Sequence, residues 1–374
     1  MSGNEPSHDD YLWDRSDPPD PEIRRLECLL GGYAWNPDSA RSARAHRAVD
    51  AHAAPRAGAW RRARWRRAAL AAVAAFALCA IGAQVWYSQR LRWENDRPWR
   101  VAMQQGDVRI DGQAVAADAV LPKGRELRTG PDASVRLDVA RVGQMVLGEN
   151  SVIRIVETRS GRHRVQLQEG RLWARVWAPP GQFAIGLPHA DLHDLGCEFV
   201  VESDAAGNAR LTVRSGWVLV DDGRADVLVP EGTTVRVHDD RRAGLPHDLG
   251  ARPEFVAALD AIDAAHGAVD PRGEEIRSLI AAARTQDAIS LLSLLKRYPQ
   301  LAEQPLLAST ARTLPGVRAL SPAEVRARGD AAFDDWWRAL PYPRIKRWWL
   351  KWPDALPASG DPAELLDPSR SGRD

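Results

Sequence analysis

The chain has 374 residues, of which 44% are hydrophobic and 27% charged, with a formal net charge of +1. That length suits two or three domains, the apolar content is too ordinary for a protein crossing a membrane many times, and the balanced charge excludes one that works mainly by embracing polyanions. Its three cysteines, Cys28, Cys79 and Cys197, form no Cys-x-x-Cys motif.

Residues 1–35 read as a small head. Tyr11-Leu12-Trp13-Asp14 is followed by a Pro/Asp-rich joint, then by a short helix with Asp20 as N-cap, Pro21 at its first position and Gly31-Gly32 at its end. Ile23, Leu26, Leu29 and Leu30 fall on one stripe, in a segment too small to bury that stripe in a core of its own. The expectation is helix-in-groove docking on a cytoplasmic protein, with Tyr11, Trp13 and Trp35 as aromatic anchors. A stripe lying on a membrane, or paired in a small hairpin, is the alternative. Residues 36–67 form a linker that ends in a basic juxtamembrane cluster, Arg61, Arg62, Arg64, Arg66 and Arg67, interleaved with Trp60 and Trp65.

Residues 68–87 carry no formal charge. At about 1.5 Å per helical residue the run reaches roughly 30 Å, the thickness of a bilayer's hydrocarbon core, which predicts a single transmembrane helix. Trp86, Tyr87 and Trp93 mark the far border, and the stronger arginine cluster before the run places the amino terminus in the cytoplasm and the rest on the other side of the membrane. The run begins too late for a signal peptide; an Ala-rich core helix is the competing reading. This topology puts one cysteine in each compartment and one in the span, so no intramolecular disulfide is expected.

From 100 to 240 the pattern changes to short alternating strands at Gly turns, such as Ser134–Val139, Arg164–Leu167 and Arg171–Val176 around Glu169-Gly170. Turns about every ten residues imply an antiparallel all-β domain, with a sandwich, a roll or a short solenoid all open, ending near Val237. Residues 253–352 return to helical period through Ile276, Leu279, Ile280 and Ile289–Leu295. Ser321-Pro322-Ala323-Glu324 opens a further helix, with cap, proline and capping-box acid in order, that carries Phe333, Trp336 and Trp337. Residues 353–374 read as a disordered tail. The fold class is therefore membrane-anchored and mainly β: one transmembrane helix, an all-β domain and a helical extension.

Nothing in the sequence points to catalysis or to a cofactor. Nucleophile elbow, P-loop, dinucleotide fingerprint and His-Glu-x-x-His motif are all missing, and the acidic residues of the β segment sit mainly at turns. His189, His193 and Cys197 recur every fourth residue, but on a strand that spacing spreads them over roughly 13 Å, too far for one ion, so no metal is expected.

The β segment resembles the periplasmic domain of the FecR-like family, transmembrane regulators of extracytoplasmic-function sigma factors. The matching words run in order: Gln105-Gly106-Asp107-Val108, Leu127-Arg128-Thr129-Gly130, Leu147-Gly148-Glu149-Asn150-Ser151, Leu167-Gln168-Glu169-Gly170-Arg171-Leu172, Asp194-Leu195-Gly196-Cys197-Glu198-Phe199, Val213-Arg214-Ser215-Gly216-Trp217-Val218 and Val229-Pro230-Glu231-Gly232. The family's Gly-Thr before the Phe is Gly196-Cys197 here, a thiol in place of a hydroxyl. The resemblance implies a sigma factor as cytoplasmic partner, a periplasmic or outer-membrane protein or cell-wall ligand outside, and no direct contact with nucleic acid. An anchored periplasmic module that grips glycan or an envelope protein, without sigma-factor regulation, is the rival function.

Overall fold

The computed structural model describes residues 73, 75–85, 89, 91–116, 118–238, 240, 242–342, 361, 362 and 366. The expected head with Tyr11, Trp13, Ile23, Leu26, Leu29 and Leu30, and the linker after it, lie outside the described residues. The chain divides into two units between Ile81 and Gly82. Residues 75–85 are helical, and Val73, Phe76, Leu78, Ile81 and Val85 are all exposed. The span expected over 68–87 reaches past the described residues at both ends, and no helix among the described residues is long and apolar enough to cross a membrane.

Period-two patterning becomes strands. Ser134–Val139 and Ala209–Ser215 each bury every second residue, the signature of a sheet with one face in the core. The strands are β1 (Trp99–Gln105), β2 (Val108–Ile110), β3 (Gln113–Ala114), β4 (Val120–Leu121), β5 (Glu126–Thr129), β6 (Ser134–Val139), β7 (Gly143–Leu147), β8 (Val152–Arg159), β9 (Arg162–Val176), β10 (Phe183–Gly186), β11 (Asp191–Asp194), β12 (Glu198–Ser203), β13 (Ala209–Ser215), β14 (Trp217–Asp221), β15 (Asp226–Pro230), β16 (Thr233–Val237) and β17 (His247–Asp248). One sheet, here sheet A, runs β4–β1–β6–β7–β9–β12–β13–β16–β17. The other, sheet B, runs β3–β2–β5–β8–β9–β10–β11–β14–β15. Leu137, Met145 and Phe199 of sheet A share one buried core with Ile153, Val165 and Phe183 of sheet B.

The two sheets are joined through β9. Its first half, to Glu169, pairs with β8 and β10; its second half, from Gly170, pairs with β7 and β12. The inward set shifts from His163, Val165 and Leu167 to Leu172, Ala174 and Val176. That change from odd to even positions is the register shift needed when a strand leaves one layer for the other. Arg164–Leu167 and Arg171–Val176 are thus one bent strand, not two strands about a turn. A second difference is that β10 pairs with β9 in parallel, Phe183 opposite His163. Trp177–Gln182 carries the chain from the end of sheet A back to the start of sheet B, completing one coil that antiparallel hairpins cannot make.

Sheet-to-sheet corners gather at the two ends of the domain. Gly106, Gly130, Ser151 and Gly170 mark one end, where Gln105 is opposite Ser134 and Leu147 opposite Leu172. Gly196, Gly216 and Gly232 mark the other, where Glu198 is opposite both Arg175 and Ser215. At the first end Thr129 N–H donates to Ser151 O at 3.0 Å and Gly148 N–H to Arg171 O at 2.9 Å, so successive corners hydrogen-bond to one another.

The helical layer comprises α1 (Pro253–Ala264), α2 (Glu274–Ala282), α3 (Ala288–Arg297), α4 (Gln304–Thr313), α5 (Pro322–Arg328) and α6 (Asp334–Ala339). The capping box at α5 forms as expected, Ser321 Oγ accepting from Glu324 N–H at 3.2 Å while the Glu324 carboxylate accepts from Ser321 N–H at 2.9 Å. Leu259, Ile276, Leu291, Leu295, Leu307 and Phe333 belong to a core of its own. Hydrogen bonds and ion pairs fasten it to the β domain, among them the Arg242–Asp263 pair. Arg297 Nη1 donates to Ala243 O at 2.8 Å and to Asp263 Oδ1 at 3.1 Å, and Tyr298 OH donates to the same carboxylate at 2.7 Å. Arg284 bridges Asp248 of β17 and Asp287 at the start of α3, each at 2.8 Å. Removing one partner of such a pair strands a charge in the interior. Within the stretch read as a disordered tail, Leu366 is buried.

Gly170 has φ +105°, and a Cβ there would stand 2.2 Å from Ser151 Oγ and 2.3 Å from Ser151 Cα. Gly161, in the hairpin before β9, also has positive φ but open space around it. Gly170→Ala is expected to lose about 3 kcal/mol or more and Gly161→Ala about 1 kcal/mol in chemical denaturation; equal losses would contradict the steric role of the corner.

Candidate functional site

The family-motif residues of the sequence converge on the corners. At the second end Asp194 closes β11, Leu195 and Gly196 turn the chain, and Cys197 leads into β12, where Phe199 enters the sandwich core. Gly216 has φ +79°, and a Cβ on it would lie 2.2 Å from Gly196 O, so the two corners touch backbone to backbone. Leu195 N–H donates to Trp217 O at 3.2 Å, and Gly216 N–H to Glu231 Oε2 at 3.2 Å.

The Asp194 carboxyl is buried and accepts from Gly196 N–H at 3.1 Å and from the Cys197 thiol. The thiol that replaces a hydroxyl therefore serves a side-chain carboxyl inside its own corner. Burial pushes the Asp194 carboxyl up to about 8, outweighing the hydrogen bonds from Cys197 and the backbone, which act the other way. Burial, and the adjacent acid, likewise push the Cys197 thiol well above its ordinary value. Such a thiol is a poor nucleophile and a poor metal ligand. His193 lies on β11 opposite Leu219, whereas His189 sits in the β10–β11 turn against Gly207. No group of three or more His, Cys, Asp or Glu among the described residues is arranged to hold a metal.

A different feature offers room for a ligand. A cleft of about 890 Å³ opens where β14 and β15 meet the helical layer, lined by Leu228, Leu245, Lys296, Arg297, Asp334 and Trp337 among others. Among the described residues strand β15 pairs only with β14 and ends sheet B here. Lys296 Nζ stands 5.1 Å from the centre of the Trp337 ring, and the Trp337 Nε1 is buried with no hydrogen-bond partner among the described residues. Its neighbour Trp336 is instead a core residue, edge-on to Phe333 at 5.8 Å and donating to Arg318 O at 3.0 Å. Consecutive helical residues point about 100° apart, so the pair Trp336-Trp337 already signalled that one ring would leave the core. Lys296 and Leu228 carry no comparable signal in sequence.

Residues 125–219, from the start of β5 into β14, match the family described as FecR protein. No curated protein matches the chain. Solved structures that resemble it include two crystal structures of a "putative anti-sigma factor" from Parabacteroides distasonis. One is 20% identical, covering 36% of this chain and 63% of that chain with a TM-score of 0.29. The second is 23% identical, covering 35% of this chain and 57% of that chain with a TM-score of 0.25. The chain thus spans less than two thirds of either.

The raised Asp194 carboxyl makes stability depend on pH with a definite sign. Its folded value, about 8, lies above that of an unfolded aspartate near 4. Between those values the folded state holds a proton that the unfolded state has released, so the stability present below pH 4 falls as pH rises towards 8. Asp194→Asn is expected to remove a slope on the order of 1 kcal/mol per pH unit between about pH 5 and 7. Denaturation curves of both proteins across that range check it, and parallel slopes would contradict the assignment.

Proposed function

Taking the FecR match over residues 125–219 as premise, we propose that this protein is a single-pass inner-membrane regulator that couples an exported FecR-like β domain to a sigma factor on the cytoplasmic side. That match is the observation that carries the reading. Two further features support it. Residues 68–87 are uncharged, behind an arginine cluster, and their helical portion leaves apolar side chains exposed on all sides; such a helix gains by entering a hydrocarbon layer. The sequence of the head, with Ile23, Leu26, Leu29 and Leu30 at helical spacing in a segment too short for a core of its own, suits a groove on a partner.

In this reading the outer part does no chemistry. It binds a protein or cell-wall ligand, with the cleft at Trp337 as the receiving surface, and the sign of the response depends on which state of the head the sigma factor prefers. A tagged full chain is expected to co-purify with a sigma factor. Leu26→Asp or Leu29→Asp should each weaken that capture by about tenfold or more, since burying a carboxylate in an apolar groove costs more than about 1.4 kcal/mol. Capture unchanged by both substitutions would contradict docking through the stripe, and a chain that brings down no sigma factor would favour the anchored binding module instead.

A further inference from the structure

The outward face of sheet A should be polar, because the opposite face already fills the core. Its centre is not. Val146 on β7, Trp173 on β9 and Val200 on β12 stand directly opposite one another across three strands, and they are only 7%, 4% and 7% exposed. Outward residues so well buried require a cover, and its described part is Leu366, 6% exposed and clustered with these three side chains.

Leu366 is held by more than apolar contact. Its carbonyl accepts from Arg171 Nη1 at 3.0 Å, and its N–H donates to Pro362 O at 3.1 Å, the spacing of one helical turn. Arg171 also pairs with Glu202 on the next strand. Around this seat arginines are interleaved with acids, Arg236 being paired with Asp260 of α1 at 2.9 Å. Glu202 is opposite Arg210, which is opposite Arg236. A recess of about 540 Å³ there is lined by Arg171, Arg210, Arg236 and His238 together with Glu202 and Asp204. The segment that supplies Leu366 reads Asp361-Pro362-Ala363-Glu364-Leu365-Leu366-Asp367, acidic on both sides of its leucines.

We propose that the outer face of sheet A is a docking surface for a short acidic, leucine-bearing turn, and that its resident occupant is this chain's own carboxy-terminal turn, held in cis by the Val146–Trp173–Val200 seat and by Arg171. The apolar seat supplies affinity and the arginines select acidic flanks. Tethering keeps the turn at high effective concentration without making its contacts irreversible, so a free segment of the same chemistry competes only when the resident turn is released.

The test uses a fluorescein-labelled peptide of residues 361–370 and three full-length preparations: the parent chain, Leu366→Asp, and a chain ended at Gly360. Fluorescence anisotropy should show the peptide binding both released proteins about tenfold or more tighter than the parent. A peptide carrying the same Leu366→Asp change should not bind, which separates a specific seat from general attraction of acid to arginine and does not depend on the fold of any variant. Binding to both released proteins no tighter than to the parent would overturn the proposal, as would equal binding of the two peptides.

Discussion

Two β layers can share one core without a long linker only if the chain passes from one layer to the other within a residue or two. At Gly106, Gly170 and Gly216 that passage occurs where the chain lies too close to its neighbour for a side chain. Gly170 packs on Ser151 and Gly216 packs on the carbonyl of Gly196. Everything inside the sandwich inherits its register from these corners, because a slip of one residue at Gly170 would turn Leu172, Ala174 and Val176 outwards. Placing the first set of corners at one end and the second at the other, with Trp177–Gln182 as the link, lets β9 serve both sheets.

The second set differs in chemistry. Its corner at Gly196 is closed by a buried carboxyl with a thiol and a backbone amide as donors, and the described residues place no cation beside it. An acid so placed stays protonated over most of the physiological range. The arrangement favours a fixed corner over a reactive group. The Arg284–Asp248 and Arg242–Asp263 pairs, with the hydrogen bond from Arg297 to Ala243 O, do a related job at the next boundary. They tie the helical layer to β17 and the loop before it, so that the cleft at Trp337 has walls from both layers.

Much of this was legible in the residues. The order of glycine words along the chain marked turns, the alternation of Ser134–Val139 marked a strand, and the change to helical period marked the extension. The phase change across Gly170 was also present, in the step from Val165 and Leu167 to Leu172 and Ala174, although a turn between two strands explains it equally well. Other features have no local signal. The parallel pairing of β10 with β9 depends on where a six-residue link returns the chain. The Arg297–Asp263 pair joins residues 34 positions apart. The seat of Leu366 joins a composition typical of a solvated tail to strands some two hundred residues earlier, and only the packing reveals it.

Native-state hydrogen exchange tests the dependence on the corners most directly. The amides of Thr129, Gly148, Leu195 and Gly232, each bonded to the backbone of a neighbouring corner or strand, are predicted to exchange only through global unfolding and to match the slowest core strands. Exchange of these amides through local openings, faster than that of helices α3 and α4, would show that the sandwich is held elsewhere and that the corners merely follow.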